Sequence, residues 1–154
     1  MTVVLTGANS FVLKAELKKL IDDFESLHGE FGVEKIDAAE ADFGRLLETV
    51  ASLPFLASRR MIILSDPAKN KPLGENIEQF LDAVADTTDL VFVETKFDKR
   101  LSLYKTLKKK TDFREFNELD ERALGSWLVS EAKARGGQIS LADANYLMQR
   151  SGFH

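Results

Sequence analysis

Leu53-Pro54-Phe55-Leu56-Ala57-Ser58-Arg59-Arg60, running on into Met61-Ile62-Ile63-Leu64, is the stretch on which the fold turns. Met61 to Leu64 is an unbroken apolar run of the kind a strand carries when both faces of its sheet are covered. Pro54 fixes its own φ, lacks an N–H and biases Leu53 away from α geometry, so a preceding helix must stop there. A helix, a break and a buried strand are therefore predicted, with Phe55 and Leu56 in the break. Connecting segments normally carry polar residues. These two side chains either fold back onto the core or point outward to be buried by something else. On spacing alone the core anchor is favoured, because most apolar residues in loops are satisfied locally.

Outward from this stretch the same alternation repeats. Val3-Val4-Leu5 is a short strand ending at Thr6-Gly7-Ala8-Asn9-Ser10, and Ser10 is read as the N-cap of a helix. Its inner face carries Phe11, Leu13, Leu17, Leu20, Ile21 and Phe24. Val33 and Ile36 mark a brief strand near a sheet edge, and Ala38 to Ala51 a helix with Ala41, Leu46, Leu47 and Val50 inward. Downstream, Ala68 to Gly74 is read as a polar loop, and the next helix buries Ile77, Phe80, Leu81 and Val84. Leu90 to Val93 is another covered strand, Lys99 to Lys110 is helical, and Phe113 and Phe116 alternate with charges in a last strand. Strands alternating with helices predict an α/β fold: a parallel sheet of about five strands, flanked by helices and joined by right-handed crossovers.

At Asn117-Glu118-Leu119-Asp120 the pattern changes. Two amphipathic helices are expected, Asp120 to Arg135 and Ser140 to Arg150, separated by Gly136-Gly137. The division is a main domain over 1–118 and a small helical one over 119–154. Such a pair is too small to cover its own apolar stripe. The end at Phe153-His154 is accordingly read as a boundary inside a helical bundle.

A chain of 154 residues, 44% apolar and 30% charged, can bury an ordinary globular core. It holds no apolar run of about 18 residues, so no membrane span is expected, and its start lacks the pattern of a signal peptide. The absence of cysteine excludes disulfides, thiolate metal sites and cysteine nucleophiles, and is compatible with a reducing cytoplasm, the expected location. A net charge of −4 gives no global attraction for nucleic acid. Any DNA contact must come from a local patch, for which Lys96, Lys99, Arg100 and Lys105 are the candidates; a solvated charged face is the competing reading.

The turn after the first strand is where an α/β sheet usually cradles phosphate. Here Gly7-Ala8-Asn9-Ser10-Phe11-Val12-Leu13-Lys14 has Val12 for the second P-loop glycine, Leu13 for the lysine and Lys14 for the hydroxyl residue. The phosphate charge partner and the magnesium ligand are missing. Asp66, at the end of Met61 to Leu64, stands where such enzymes hold magnesium, but Asp66-Pro67 also reads as a strand-end turn. His28 and His154 have no partner at metal-ligand spacing, so no metal, cofactor or catalytic residue is assigned. A small nucleotide-binding P-loop-like enzyme or switch, using Gly7 to Ser10, is the alternative to a binding module.

Taken together, Thr6-Gly7-x-Asn9-Ser10-Phe11, Leu53 to Arg60, Asp98-Lys99-Arg100 with Leu103-Tyr104-Lys105, and Gly136-Gly137 resemble one family. The chain is similar over its whole length to the N-terminal part of the delta subunit of the bacterial DNA polymerase III clamp loader. That resemblance implies an AAA+-like domain without ATPase chemistry, a helical lid over 119–154, and a collar domain that this chain lacks. The family belongs to the DNA polymerase III holoenzyme, while neither ATPase nor polymerase activity is expected of this chain itself. It also implies the partners, which are the sliding clamp (the beta subunit), the other loader subunits and, within the assembly, DNA. In that family an apolar pair at a helix tip before Ala-Ser-Arg engages the clamp and lets its ring open. By position the pair is Phe55 and Leu56, with Leu53 in support. Its aromatic-then-aliphatic order is permuted from the commonest form.

Overall fold

The computed structural model describes residues 1–55 and 57–117. Leu56, Gly136, Gly137 and the rest of the lid expected over 119–154 lie outside the described residues. Five strands, β1 (Thr2–Thr6), β2 (Val33–Asp37), β3 (Arg60–Ser65), β4 (Thr88–Glu94) and β5 (Asp112–Glu115), form one sheet in the order β2-β3-β4-β1-β5. Every pairing is parallel. The expected parallel α/β sheet is what forms, within a compact unit spanning Met1–Phe116.

Alternation along the central strands divides the core into two layers. Val4, Ile62, Leu64, Leu90 and Phe92 face one side, where they meet α2 (Phe43–Ala51), α4 (Ile77–Ala83) and α5 (Ser102–Lys110) through Leu46, Val50, Phe80 and Leu107. Val3, Leu5, Met61, Ile63 and Val91 face the other side, covered by Leu13, Leu20, Ile21 and Phe24 of α1 (Ser10–His28). A strand apolar on both faces is thus explained by helices on both faces.

Element starts differ from the sequence reading wherever a side chain outside the periodic run does the capping. Asn9, not Ser10, caps α1: its side chain accepts from the Val12 N–H at 3.2 Å. The inner face therefore opens at Val12 and Leu13, and Phe11, expected in the core, is exposed. α2 begins at Phe43 rather than Ala38, because Asp42 accepts from the Arg45 N–H at 3.1 Å. The segment read as a polar loop contains a 3-10 turn, Pro67–Lys69, and a short helix, α3 (Lys71–Glu75). Buried Asn70 organises it by accepting from the Leu73 N–H and donating to the Ala38 and Ala41 carbonyls at 2.9 and 3.0 Å. α5 starts at Ser102, three residues later than expected, since Asp98 accepts from the Arg100 N–H and holds 98–100 in a turn.

Candidate functional site

All strands run the same way, so the connections into their first residues gather at one end of the sheet and those leaving their last residues at the other. The two ends carry different groups.

At the exit end, Gly7 has a φ of +120°. A Cβ there would lie 2.0 Å from the Phe116 carbonyl oxygen. Residue 116 follows β5 and crosses the turn between β1 and α1; its N–H donates to the Thr6 carbonyl at 2.8 Å, and its carbonyl accepts from the Asn9 N–H at 3.0 Å. The Ser10 N–H donates to the Ala8 carbonyl at 2.9 Å. Two of the backbone donors that would face a phosphate in a nucleotide-binding turn, those of Asn9 and Ser10, are here satisfied by the chain itself.

Asp66, one step past β3, adopts a left-handed φ of +54°, and its N–H donates to the Val93 carbonyl, which makes it the strand-end turn of the simpler reading. Beside it the buried Glu94 accepts from the Ala68 N–H at 3.1 Å. Burial pushes the Glu94 carboxyl above its ordinary value; the Ala68 N–H pulls it back, and the Asp66 charge pushes it further up. Among the described residues no three His, Asp or Glu side chains converge as a metal site.

The expected basic residues also belong to this end. Lys96 and Lys105 are exposed. Lys99 pairs with Glu115 at 3.2 Å, and the Arg100 guanidinium forks onto both oxygens of Asp98. That fork holds the Asp98 carboxyl below the usual carboxylate range. Two of the four cations are thereby engaged locally. None is brought near Phe55, which lies before β3 at the opposite end.

At the entry end, α2 stops at Ala51 and the chain reaches β3 through residues 52–59. Phe55 is 95% exposed and Leu53 75%, so neither is a core anchor; Leu56 lies outside the described residues. Both ends of the segment are fastened. At its start, the Ala85 N–H donates to the Val50 carbonyl at 2.9 Å. Arg60 reaches back to donate to the carbonyls of Thr49 and Ser52 and to the Ser52 hydroxyl, capping the last turn of α2 with a cation. At its finish, the Arg60 N–H donates to the Thr87 carbonyl at 2.9 Å. Arg59 donates to Asp89 at 2.7 Å, and the amino group of Met1 lies 3.4 Å from the same carboxylate oxygen. Asp89 is largely buried at the start of β4.

The two arginines are thus structural staples that hold an apolar tip in place. Sequence reading missed this role, because their partners are up to 30 residues away. The only signal was their adjacency to a break whose sequence puts two large apolar residues in a connecting segment.

Comparison with known proteins agrees with this architecture. The family model described as "DNA polymerase III, delta subunit" matches residues 4–117. The DNA polymerase III subunit delta of Bacillus subtilis (strain 168) is 23% identical over 158 residues, covering 94% of this chain and 45% of the relative. A solved structure, the Bacillus subtilis DNA clamp loader delta protein, superposes with a TM-score of 0.70 at 21% identity, covering 96% of this chain and 47% of that one. The chain therefore spans about half the length of these relatives.

Proposed function

We propose, from the premise that the chain belongs to the DNA polymerase III delta subunit family, that it is the clamp-engaging portion of a clamp-loader subunit. In this reading it is an AAA+-like module that does no nucleotide chemistry. It binds the sliding clamp through Leu53, Phe55 and Leu56 and favours the open form of the ring during DNA replication in the cytoplasm. Residues 119–154 form the lid of the same subunit, and contacts with the other loader subunits belong to the longer protein. Lys96, Lys99, Arg100 and Lys105 contact DNA or a neighbouring subunit at the far end of the sheet.

One observation carries this reading. A phenylalanine 95% exposed, beside a leucine 75% exposed, sits on a segment stapled at both ends. Large apolar side chains exposed together, unlike scattered single ones, mark interaction surfaces on a monomer. Burying each such side chain contributes about 1.5–3 kcal/mol, the scale of an interface hot spot. The staples reduce the ordering cost of binding, because the tip is already held. Ring opening then needs only tighter binding to the open form than to the closed one, with no hydrolysis in this chain.

The test is surface plasmon resonance against the sliding clamp of the same organism. The wild-type chain binds, and Phe55→Ala with Leu56→Ala removes binding while the circular dichroism spectrum is retained. Unchanged affinity in the double variant refutes the assignment.

A further inference from the structure

Leu53 and Phe55 are not alone at the entry end. Leu27, in the last turn of α1, is 77% exposed, and Phe31, in the 3-10 turn Glu30–Gly32 that leads into β2, is 76% exposed. With Leu53 and Phe55 these are the four most exposed large apolar residues among those described, and all four precede β2 or β3. The two strands are neighbours, with Val33 opposite Met61, so the segments leading into them emerge side by side. Gly32 shows how close they come: a Cβ there would meet the Arg59 carbonyl oxygen at 2.9 Å and the Phe24 ring at 2.9 Å. The turn carrying Phe31 thus rests directly on the exit of the stapled segment, with no side chain between them.

The geometry points to one apolar face, made of Leu27 and Phe31 together with Leu53 and Phe55, that a single partner, the sliding clamp, covers at once. This inference rests on the reading proposed above and enlarges its interface onto the end of α1. Area gives the first reason. Leu53 and Phe55 expose on the order of 300 Å² of apolar side chain, whereas each side of a specific interface contributes about 800 Å². Leu27 and Phe31 roughly double the apolar share without any rearrangement. Continuity gives the second, because the two pairs lie on adjoining backbone segments at one end of one sheet. The rim gives the third: Glu25 and Glu30, with Asp22 already paired to Lys18 at 2.7 Å, line the shallow hollow beside Phe31. An apolar centre with a charged edge is the usual anatomy of a docking face, and this edge calls for cations on the clamp surface that meets it.

The experiment measures affinity of the 154-residue chain for the sliding clamp of the same organism, with Leu27→Ser/Phe31→Ser and Phe55→Ala as separate variants. Both changes are at exposed side chains, and thermal melting checks that the fold is intact. The expected result is a loss of 10-fold or more for Leu27→Ser/Phe31→Ser and a larger loss for Phe55→Ala. If Phe55→Ala abolishes binding and Leu27→Ser/Phe31→Ser stays within 2-fold, the enlarged face is wrong and the clamp-engaging tip stands. If Phe55→Ala has no effect, the tip assignment fails and the shared face fails with it. Sedimentation supplies the remaining arm: a dimer of this chain that Leu27→Ser/Phe31→Ser dissolves, with clamp affinity unaltered, would make this patch a self-association surface and overturn the proposal.

Discussion

The same parallel strands finish differently at the two ends of this sheet. At the exit end, the turn after β1 is filled by the backbone of residue 116, the Asn70 amide is spent on Ala38 and Ala41, and the Arg100 and Asp98 charges close on each other. At the entry end, charged groups are spent instead on fastening a segment in which Leu53 and Phe55 face out. An α/β sheet ordinarily places its ligand chemistry at the exit end. Here the turn after β1 is satisfied from within, while Lys96 and Lys105 stay exposed nearby, and at the other end Leu53 and Phe55 lie open.

The largest expected effect concerns that offered surface. Phe55→Ala with Leu56→Ala should weaken clamp binding about 100-fold or more, in line with a desolvated hot spot. Thermal stability should be almost unchanged, since Phe55 has little packing to lose. A large drop in melting temperature would mean that Phe55 packs in solution, and the contrast between the ends would collapse.

The next effect attacks the sealed end. Gly7→Ala puts a Cβ into the Phe116 carbonyl at a φ of +120°. It should cost about 2–4 kcal/mol, read as a fall in the urea midpoint. Magnesium-ATP added to the wild-type chain should leave the midpoint where it was, because a ligand stabilises only a site it can occupy. A rise with nucleotide would show that residue 116 yields and that this end is open.

A smaller effect tests the staples. Asp89→Ala leaves Arg59 without its 2.7 Å partner. Loss of this partly buried charge pair should cost about 1–3 kcal/mol of stability. It should also lower clamp affinity several-fold, because the tip is no longer held in advance. Stability lost with affinity intact would mean that the pair serves the fold alone.

The smallest is a pH dependence at the sealed end. Glu94 binds its proton more tightly in the folded chain than in the unfolded one, because burial raises its carboxyl above the ordinary 4.5. The unfolded state therefore loses its proton first, and the stability contributed by Glu94 declines as pH rises from that value through the folded one. Glu94→Gln keeps an acceptor for the Ala68 N–H and removes the charge. Urea midpoints of the variant should decline less over this range than those of the native chain. Parallel profiles would place the carboxyl in contact with water.

How much of this was legible in the sequence follows from what each residue depends on. Met61 to Leu64 and Leu90 to Val93 declared themselves, since a strand covered on both faces must be apolar at consecutive positions. Val33 and Ile36, with Glu34 and Lys35 between them, did so as an edge. Asn70 did not, because its partners Ala38 and Ala41 lie in another connection and a polar residue among lysines reads as loop. Asn9 shifted a helix start by a cap that adjacent Ser10 could have supplied equally well, and Asp42 did so inside a run whose periodicity reads as helical from Ala38. Phe55 was ambiguous by nature: the break that isolates it is local, but whether the core has room for it is decided by the whole packed layer. Arg59 and Arg60 read as a charged pair, and their stapling roles needed Asp89 and the end of α2 in position.

Hydrogen exchange by mass spectrometry, with and without the sliding clamp, tests the central contrast most directly. Added clamp should slow exchange across residues 50–58, and across 26–32 if the wider face is engaged, while 7–14 and 66–75 remain as they were. Protection confined to 7–14 and 66–75, with 50–58 exchanging freely, would put the partner at the sealed end and contradict the account.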